Sequence, residues 1–301
     1  MPDLTPPIVA LLTPFDAGGK IDWRAFESYL TALSSWGVKS VIANGTTGEF
    51  PSLTLAERQE IVEFVKRHFE GTLVNNVSST CVEDVKNLLA GTERNADAVL
   101  LLPPYYYAES SPEGLCSFFE KALSENALPA FLYNFPKHTG NRVDNALIGM
   151  LRDKGVQLAG IKDSSGDLPN ALAYRSQFPD LKIFFADDAG CLAALQHGLH
   201  GSVTGGANPL PEYLLAIQEA FGKPGDKAQI LQCAFDVWNA YRTASPLFEI
   251  PLVKAAMGAR IKDFPIHVRP PFTPAPSEAI SRIRTVVLNC LSGLHAILND
   301  L

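Results

Sequence analysis

Eight short apolar runs, each bounded by Gly, Pro or Asn and followed by a longer segment of helical period, restrict this chain to very few architectures. They are Ile8 to Leu12, Val38 to Ala43, Thr72 to Val77, Ala98 to Leu102, Ala130 to Asn134, Leu158 to Lys162, Lys182 to Ala186 and Gly201 to Thr204. The runs are apolar almost throughout instead of alternating, the pattern of parallel strands covered on both faces. Legible helix starts lie between them: Asp22 ahead of Phe26, Leu30 and Leu33, the capping boxes Thr54-Leu-Ala-Glu57 and Thr80-Cys-Val-Glu83, and Ser111-Pro112 as N-cap and first helical residue. Eight such units in the first 221 residues average about 28 residues each, which suits a closed barrel better than an open doubly wound sheet. The expected fold is therefore α/β, a (β/α)8 TIM barrel over residues 1–223. A C-terminal helical extension over residues 224–301 begins at Gly222-Lys-Pro-Gly-Asp226, carries a Pro-rich stretch from Phe264 to Pro276 and is expected to pack on the barrel.

Charge and cysteine usage remove several function classes. Lys and Arg number 25 against 32 Asp and Glu, a net charge of −7, and no basic run is available to track a phosphate backbone, so nucleic acid is not an expected partner. The longest apolar stretch, Ala98 to Ala108, is broken by Pro103 and Pro104 and falls short of the ~20 residues that span a bilayer. Met1-Pro-Asp-Leu4 lacks the basic start and apolar run of a signal peptide, which gives a cytoplasmic expectation. The five cysteines, Cys81, Cys116, Cys191, Cys233 and Cys290, are odd in number, widely spaced and without a Cys-x-x-Cys pair, and are read as buried thiols.

In a (β/α)8 barrel the reacting groups come from the C-terminal ends of the strands. Lys162 ends the apolar run Leu158-Ala-Gly-Ile161, where its ammonium would point into the barrel mouth. Desolvation there favours the neutral, nucleophilic amine that a Schiff-base enzyme needs; the alternative is a strand-end lysine paired with Asp163 or snorkelling to solvent. Tyr133 ends the preceding strand, close enough to serve as a proton shuttle for carbinolamine formation, or else is a plain core tyrosine. Gly45-Thr46-Thr47-Gly48 combines backbone N–H groups with two hydroxyls and suits a carboxylate, although a simple Gly-rich turn would read the same way.

Taken together, these windows resemble the dihydrodipicolinate synthase and N-acetylneuraminate lyase family, the class I, pyruvate-handling aldolases and lyases. The resemblance covers nearly the whole chain: Leu12-Thr-Pro-Phe15, Gly45-Thr-Thr-Gly-Glu49, Pro104-Tyr-Tyr106, Tyr133-Asn-Phe-Pro-Lys-His-Thr-Gly140 and Gly160-Ile-Lys-Asp163, in the family's order. It implies that Lys162 is the Schiff-base lysine, Tyr133 the proton-transfer tyrosine, and that Thr46, Thr47 and Gly48 form the turn holding the 2-oxo acid carboxylate. It further implies that Tyr106 is a relay tyrosine reaching a neighbouring subunit's site, and that the backbone carbonyl of Val203 faces the pyruvate. The expected partners are pyruvate and an aldehyde, with no metal or nucleotide cofactor, in a homotetramer built as a dimer of dimers.

The departures bear on the substrate. His138 stands where lysine-pathway synthases carry an arginine for a distal carboxylate, and Asn75-Asn-Val-Ser-Ser79 replaces their Gly-Thr-Gly. Sialic-acid lyases carry Asp-Glu where this chain has Asp188-Ala189, and Gly-Ser-Thr near Thr204-Gly-Gly206. The remaining fit is a 2-keto-3-deoxy sugar acid aldolase, with Asp188, Asn76, His138 and Thr204 free to bind hydroxyls; the Tyr-Asn-Phe-Pro and Arg269-Pro-Pro segments are similar to that branch. A dipicolinate-type synthase, a sugar-acid dehydratase and a non-catalytic 2-oxo acid sensor are the alternatives. A metal-dependent aldolase would have to use His197 and His200, which fall on the opposite face of the barrel, and a dinucleotide fold would need a Gly-x-Gly-x-x-Gly that is missing after the first strand.

Overall fold

A computed structural model describes residues 3–300. Eight strands appear where the apolar runs lie: β1 (Ile8–Ala10), β2 (Ser40–Ala43), β3 (Thr72–Asn76), β4 (Ala98–Leu101), β5 (Ala130–Asn134), β6 (Gly160–Asp163), β7 (Lys182–Phe185) and β8 (Val203–Thr204). The helices are α1 (Trp23–Ser35), α2 (Leu55–His68), α3 (Val82–Thr92), α4 (Pro112–Ala122), α5 (Pro136–Thr139), α6 (Asn145–Asp153), α7 (Leu168–Gln177), α8 (Cys191–Gln196) and α9 (Pro211–Ala220), then α10 (Lys227–Ala244), α11 (Glu249–Met257) and α12 (Ser277–Asp300). All neighbouring strands pair in parallel, in the order β7-β6-β5-β4-β3-β2-β1-β8. A parallel bridge from Phe185 to Ser202, beside the bond from Phe185 N–H to the Gly201 carbonyl (3.0 Å), brings β7 to β8 and closes the barrel.

Local chemistry explains the helix starts, with one correction. Asp22 accepts from the Ala25 N–H, Thr54 and Glu57 form the reciprocal capping box, and Ser111 accepts from the Gly114 N–H with Pro112 behind it. Thr80-Cys-Val-Glu83 is not a capping box: α3 starts at Val82 with Cys81 as its N-cap and no side-chain cap bond; Cys81 at this helix end and Cys233 on α10 are exposed, so only Cys116, Cys191 and Cys290 are the buried thiols expected. Ser79 takes over the entry, its hydroxyl accepting from Cys81 N–H (3.2 Å) and donating to Asp84 (3.1 Å).

Strand parity sets what points inward. Ile8, Ala10, Ile42, Val74, Ala98, Leu100, Phe131, Tyr133, Phe184 and Val203 form the barrel's interior cluster, while intervening residues such as Val9, Val41, Val99, Leu132 and Ile183 pack outward under the helices. The β7 backbone and the Phe131 ring crowd Gly160 so closely that a Cβ there would lie 2.1 Å from the Lys182 carbonyl oxygen and 2.7 Å from the Phe131 ring. The register pairs Tyr133 with Lys162, so the two meet on the inner surface at the C-terminal end.

The last three helices share the core of the β1–β2 side: Phe235, Trp238, Leu252, Val253, Ile283 and Val287 join Tyr29, Leu33, Tyr213 and Leu214 in one cluster. Trp238 donates to the Gly206 carbonyl (2.9 Å) and Tyr213 to that of Cys290 (2.7 Å). Ile250 to Met257 of α11 are all buried. Among the described residues no helix is long and apolar enough to cross a membrane.

Candidate active site

A cavity of about 340 Å³ opens at the C-terminal ends of the strands, lined by Thr46, Thr47, Tyr133, Lys162 and Val203, and farther out by His138, Ser164, Asp188, Thr204 and Arg242. Lys162 is only 6% exposed, and its Nζ stands 4.0 Å from the centroid of the Tyr133 ring. Asp163 is turned away on the opposite face of β6, where it accepts from Ser165 N–H (2.7 Å), Asn170 (2.9 Å) and Asn134 (3.2 Å). The strand-end ion pair between Lys162 and Asp163 is thereby ruled out. The Tyr133 hydroxyl lies 3.5 Å from that of Thr46. A buried amine, a phenol and a hydroxyl-bearing turn thus face one volume.

The turn after β2 closes through Gly48 N–H to the Gly45 carbonyl (3.0 Å) and Glu49 N–H to that of Thr46 (3.0 Å). These bonds leave the N–H groups of Thr46 and Thr47 outside the closure. Gly48 lies beneath the turn: its carbonyl accepts from Thr13 (2.7 Å), and a Cβ on it would approach the Leu11 carbonyl oxygen to 3.0 Å. Thr47 reaches the cavity because β8 is followed by glycine, since a Cβ at Gly205 would lie 2.2 Å from its Oγ1.

The distal residues are distributed differently from their expected roles. Asn76 is fully buried and spent on structure, donating to the Asn44 carbonyl (2.7 Å) and accepting from Ser78 (2.6 Å), so it is not free for a substrate hydroxyl. Asp188 lies in the cavity wall with one carboxylate oxygen 2.9 Å from Arg242 Nη2 and the other buried without a partner. Burial pushes its pKa up to about 6 against the opposing pull of Arg242. Thr204 accepts from Ala207 N–H (2.8 Å), capping the following turn, and keeps its place on the cavity wall. His138 sits on the rim, edge-on to Phe135; partial desolvation and the neighbouring Lys137 lower its pKa and favour the neutral imidazole. Tyr106 is 81% exposed, in edge contact with Tyr107 and outside the cavity.

Sequence reasoning missed Arg242, Phe248, Glu249 and Phe272, which build one wall of the cavity from the C-terminal segment. Arg242 bonds Asp188, Asn239 (2.9 Å) and Glu249, and it needs Gly206, where a Cβ would fall 1.7 Å from its Nη1. Its only sequence signal is an isolated basic residue in the last turn of α10, and no spacing ties that position to β7.

These features define a (β/α)8 barrel whose mouth holds a buried lysine next to a tyrosine and a hydroxyl-rich turn. The chain belongs to the dihydrodipicolinate synthetase family, whose model matches residues 3–289. That family contains pyruvate-dependent lyases and aldolases. Over 298 residues, 95% of this chain and 97% of the relative, it is 32% identical to a protein of Chloroflexus aurantiacus named an uncharacterized DapA-like lyase. A 2-dehydro-3-deoxy-D-gluconate/2-dehydro-3-deoxy-phosphogluconate aldolase of Thermoproteus tenax is 31% identical over 234 residues, 76% of this chain and 74% of the relative. The structure of the dihydrodipicolinate synthase DapA-2 of Bacillus anthracis superposes with a TM-score of 0.85 at 26% identity, covering 96% of this chain and 99% of that one.

Proposed function

We propose that this protein is a class I lyase that makes or breaks a carbon–carbon bond to pyruvate through an imine on Lys162, and that its substrate is a 2-keto-3-deoxy sugar acid cleaved to pyruvate and an aldehyde. The observation that carries this reading is the buried Lys162 amine 4.0 Å from the Tyr133 ring, with the Tyr133 hydroxyl directed to Thr46. In the cleavage direction the neutral amine attacks C2 of the 2-oxo acid, a C–N bond forms, and Tyr133 supplies a proton to the former carbonyl oxygen. Loss of that hydroxyl as water gives the iminium. Tyr133 then takes the proton of the C4 hydroxyl, the C3–C4 bond breaks, and its electron pair flows into the iminium to leave an enamine as the aldehyde departs. Protonation at C3 and hydrolysis release pyruvate and free Lys162. Thr46 and Thr47 hold the carboxylate with their hydroxyls and N–H groups, beside the Val203 carbonyl; no metal or nucleotide is needed.

The sugar-acid reading is supported by the outer wall. Two carboxylates, Asp188 and Glu249, face one guanidinium, which disfavours a second anionic group on the substrate, while Phe135, Phe248 and Phe272 line the cavity with apolar surface for a carbon chain. His138, Ser164 and Thr204 supply neutral partners for hydroxyls. The likeness to a dihydrodipicolinate synthase favours a second reading, condensation of pyruvate with aspartate semialdehyde, which would place an acceptor carboxylate in this same wall. The reading also makes residues 224–301 an integral part of a cytosolic homotetramer, a dimer of dimers, in which the exposed Tyr106 is covered by a neighbouring subunit.

The test is borohydride reduction in the presence of pyruvate, read by intact mass and peptide mapping with Lys162→Ala as control. A reduced pyruvyl adduct on Lys162 is expected. An unmodified protein, under conditions that trap a known family member, overturns the mechanism. Turnover of 2-keto-3-deoxygluconate against aspartate semialdehyde with pyruvate then separates the two substrate readings.

A further inference from the structure

The residue that ends the carboxylate turn is held in an unusual place. Glu49 has a left-handed backbone, φ 60° and ψ 34°, although it carries a side chain, and is 1% exposed. Non-glycine residues persist in that region only where their surroundings fix them. Here the backbone conformation directs the carboxylate down beneath the turn and away from the cavity, where it meets groups from the C-terminal segment.

Lys254 of α11, fully buried, places its Nζ 2.5 Å from Glu49 Oε1 and donates to the His267 carbonyl (2.7 Å). The Arg269 N–H donates to the other oxygen of Glu49 (3.0 Å). The Arg269 side chain grips Glu57 at the start of α2 through both carboxylate oxygens (2.8 and 2.5 Å), as well as the carbonyls of Ser52 (2.8 Å) and Gly19 (2.9 Å). Both cations lie against the ring of buried Phe15, Lys254 at 4.3 Å and Arg269 at 4.5 Å. Two carboxylates and two cations, the cations stacked on one aromatic ring, therefore join the β1 loop, the β2 turn and the C-terminal segment.

We propose that Lys254 is a positioning residue for catalysis: through Glu49 it fixes the Gly45–Gly48 turn and so sets the enzyme's recognition of the substrate carboxylate. The inference rests on the reading of that turn as the carboxylate site. The mechanical link is short, because the Glu49 N–H closes the turn on the Thr46 carbonyl. Without its ion pair the Glu49 side chain is held only by the Arg269 N–H, which weakens the hold on its left-handed backbone, and a change at that residue carries the Thr46 and Thr47 amides with it. A pair that served stability alone could be replaced by apolar groups of similar volume without altering ligand preference.

The test compares borohydride trapping of pyruvate with that of methyl pyruvate, which has the same ketone but no carboxylate. Wild type, Lys254→Met and the double variant Glu49→Gln/Lys254→Met are measured; the double variant leaves no charge unpaired and is the one to rely on if the single variant does not fold. Wild type is expected to prefer pyruvate, and the double variant to lose at least about tenfold of that preference, with methyl pyruvate trapping on Lys162 kept within about twofold of wild type. A folded double variant with the wild-type preference overturns the role of Lys254. An adduct in wild type without any preference for pyruvate overturns the carboxylate-turn reading, and the proposal with it; no adduct at all overturns the imine mechanism first.

Discussion

Replacing Gly206 by alanine is a small change whose effect the geometry fixes closely. The added methyl carbon would stand 1.7 Å from Arg242 Nη1 and 2.1 Å from its Cζ, against the ~3.5 Å of an ordinary contact. The guanidinium must retreat by about 2 Å, which breaks the 2.9 Å bond to Asp188. Asp188 is 6% exposed and its other oxygen is already without a partner, so the carboxylate is left buried and uncompensated. Breaking a buried pair in this way costs about 3–5 kcal/mol, or a fall in Tm of at least about 5 °C for a chain of this size. The pH dependence carries a definite sign. Asp188 titrates in the folded state at about 6 instead of 3.8, so between those values the folded protein binds more protons than the unfolded one, and stability falls as pH rises through that window. With Arg242 displaced the folded pKa moves higher still, and the fall extends above pH 6. Thermal unfolding of Gly206→Ala at pH 5 and pH 8 should therefore show the larger deficit at pH 8. Gly149→Ala is the control: Gly149 lies in α6 with no atom within 4 Å of its added carbon, and the change is expected to be neutral or to stabilise by up to about 1 kcal/mol. A Gly206→Ala protein within about 0.5 kcal/mol of wild type at both pH values would refute the claim that Arg242 is pinned by Asp188.

Three further outcomes follow from the same geometry. Tyr133→Phe keeps the ring beside Lys162 and removes the phenol, so the fold should survive while kcat drops by about 10²–10⁴-fold; steady-state turnover and unfolding curves measured together check this, and an unchanged kcat would remove Tyr133 from the proton path. Glu57, held down to about 2 by Arg269, contributes stability that is complete above its ordinary value of 4.5 and is lost as pH falls through about 2. Glu57→Gln should accordingly melt below wild type at pH 7 and converge with it in strong acid. Gly160→Ala drives a carbon into the backbone of β7, a clash that a side-chain rotation cannot relieve, and should abolish soluble folded protein, as seen by circular dichroism and gel filtration.

The barrel was legible in the chain because its signal repeats. Eight apolar runs and their helix starts are local features, and even a shortened strand such as β8, two residues instead of four, stays in its expected position. Lys162 and Tyr133 were legible for a related reason: in a parallel barrel the end of each strand faces the mouth, and in-register neighbours meet there. Asn76 also ends a strand and points inward, but whether an amide is free depends on partners far away in sequence, here Asn44 and Ser78. Arg242 is the converse case. It follows β8 by 38 residues along the chain and enters the site only because α10 packs where it does, a tertiary fact with no periodicity to announce it.

That late wall has a consequence for synthesis. When residues through α9 have left the ribosome, all eight strand segments and Lys162 have been made, yet Lys254, Arg269 and Arg242 are still to come. The nascent barrel has an uncovered apolar flank at Tyr29, Leu33, Tyr213 and Leu214, and a mouth missing one side. Chaperone engagement should therefore peak during translation of the final quarter of the chain, and a ribosome stalled there would display a barrel with its amine in place and its substrate turn not yet fastened.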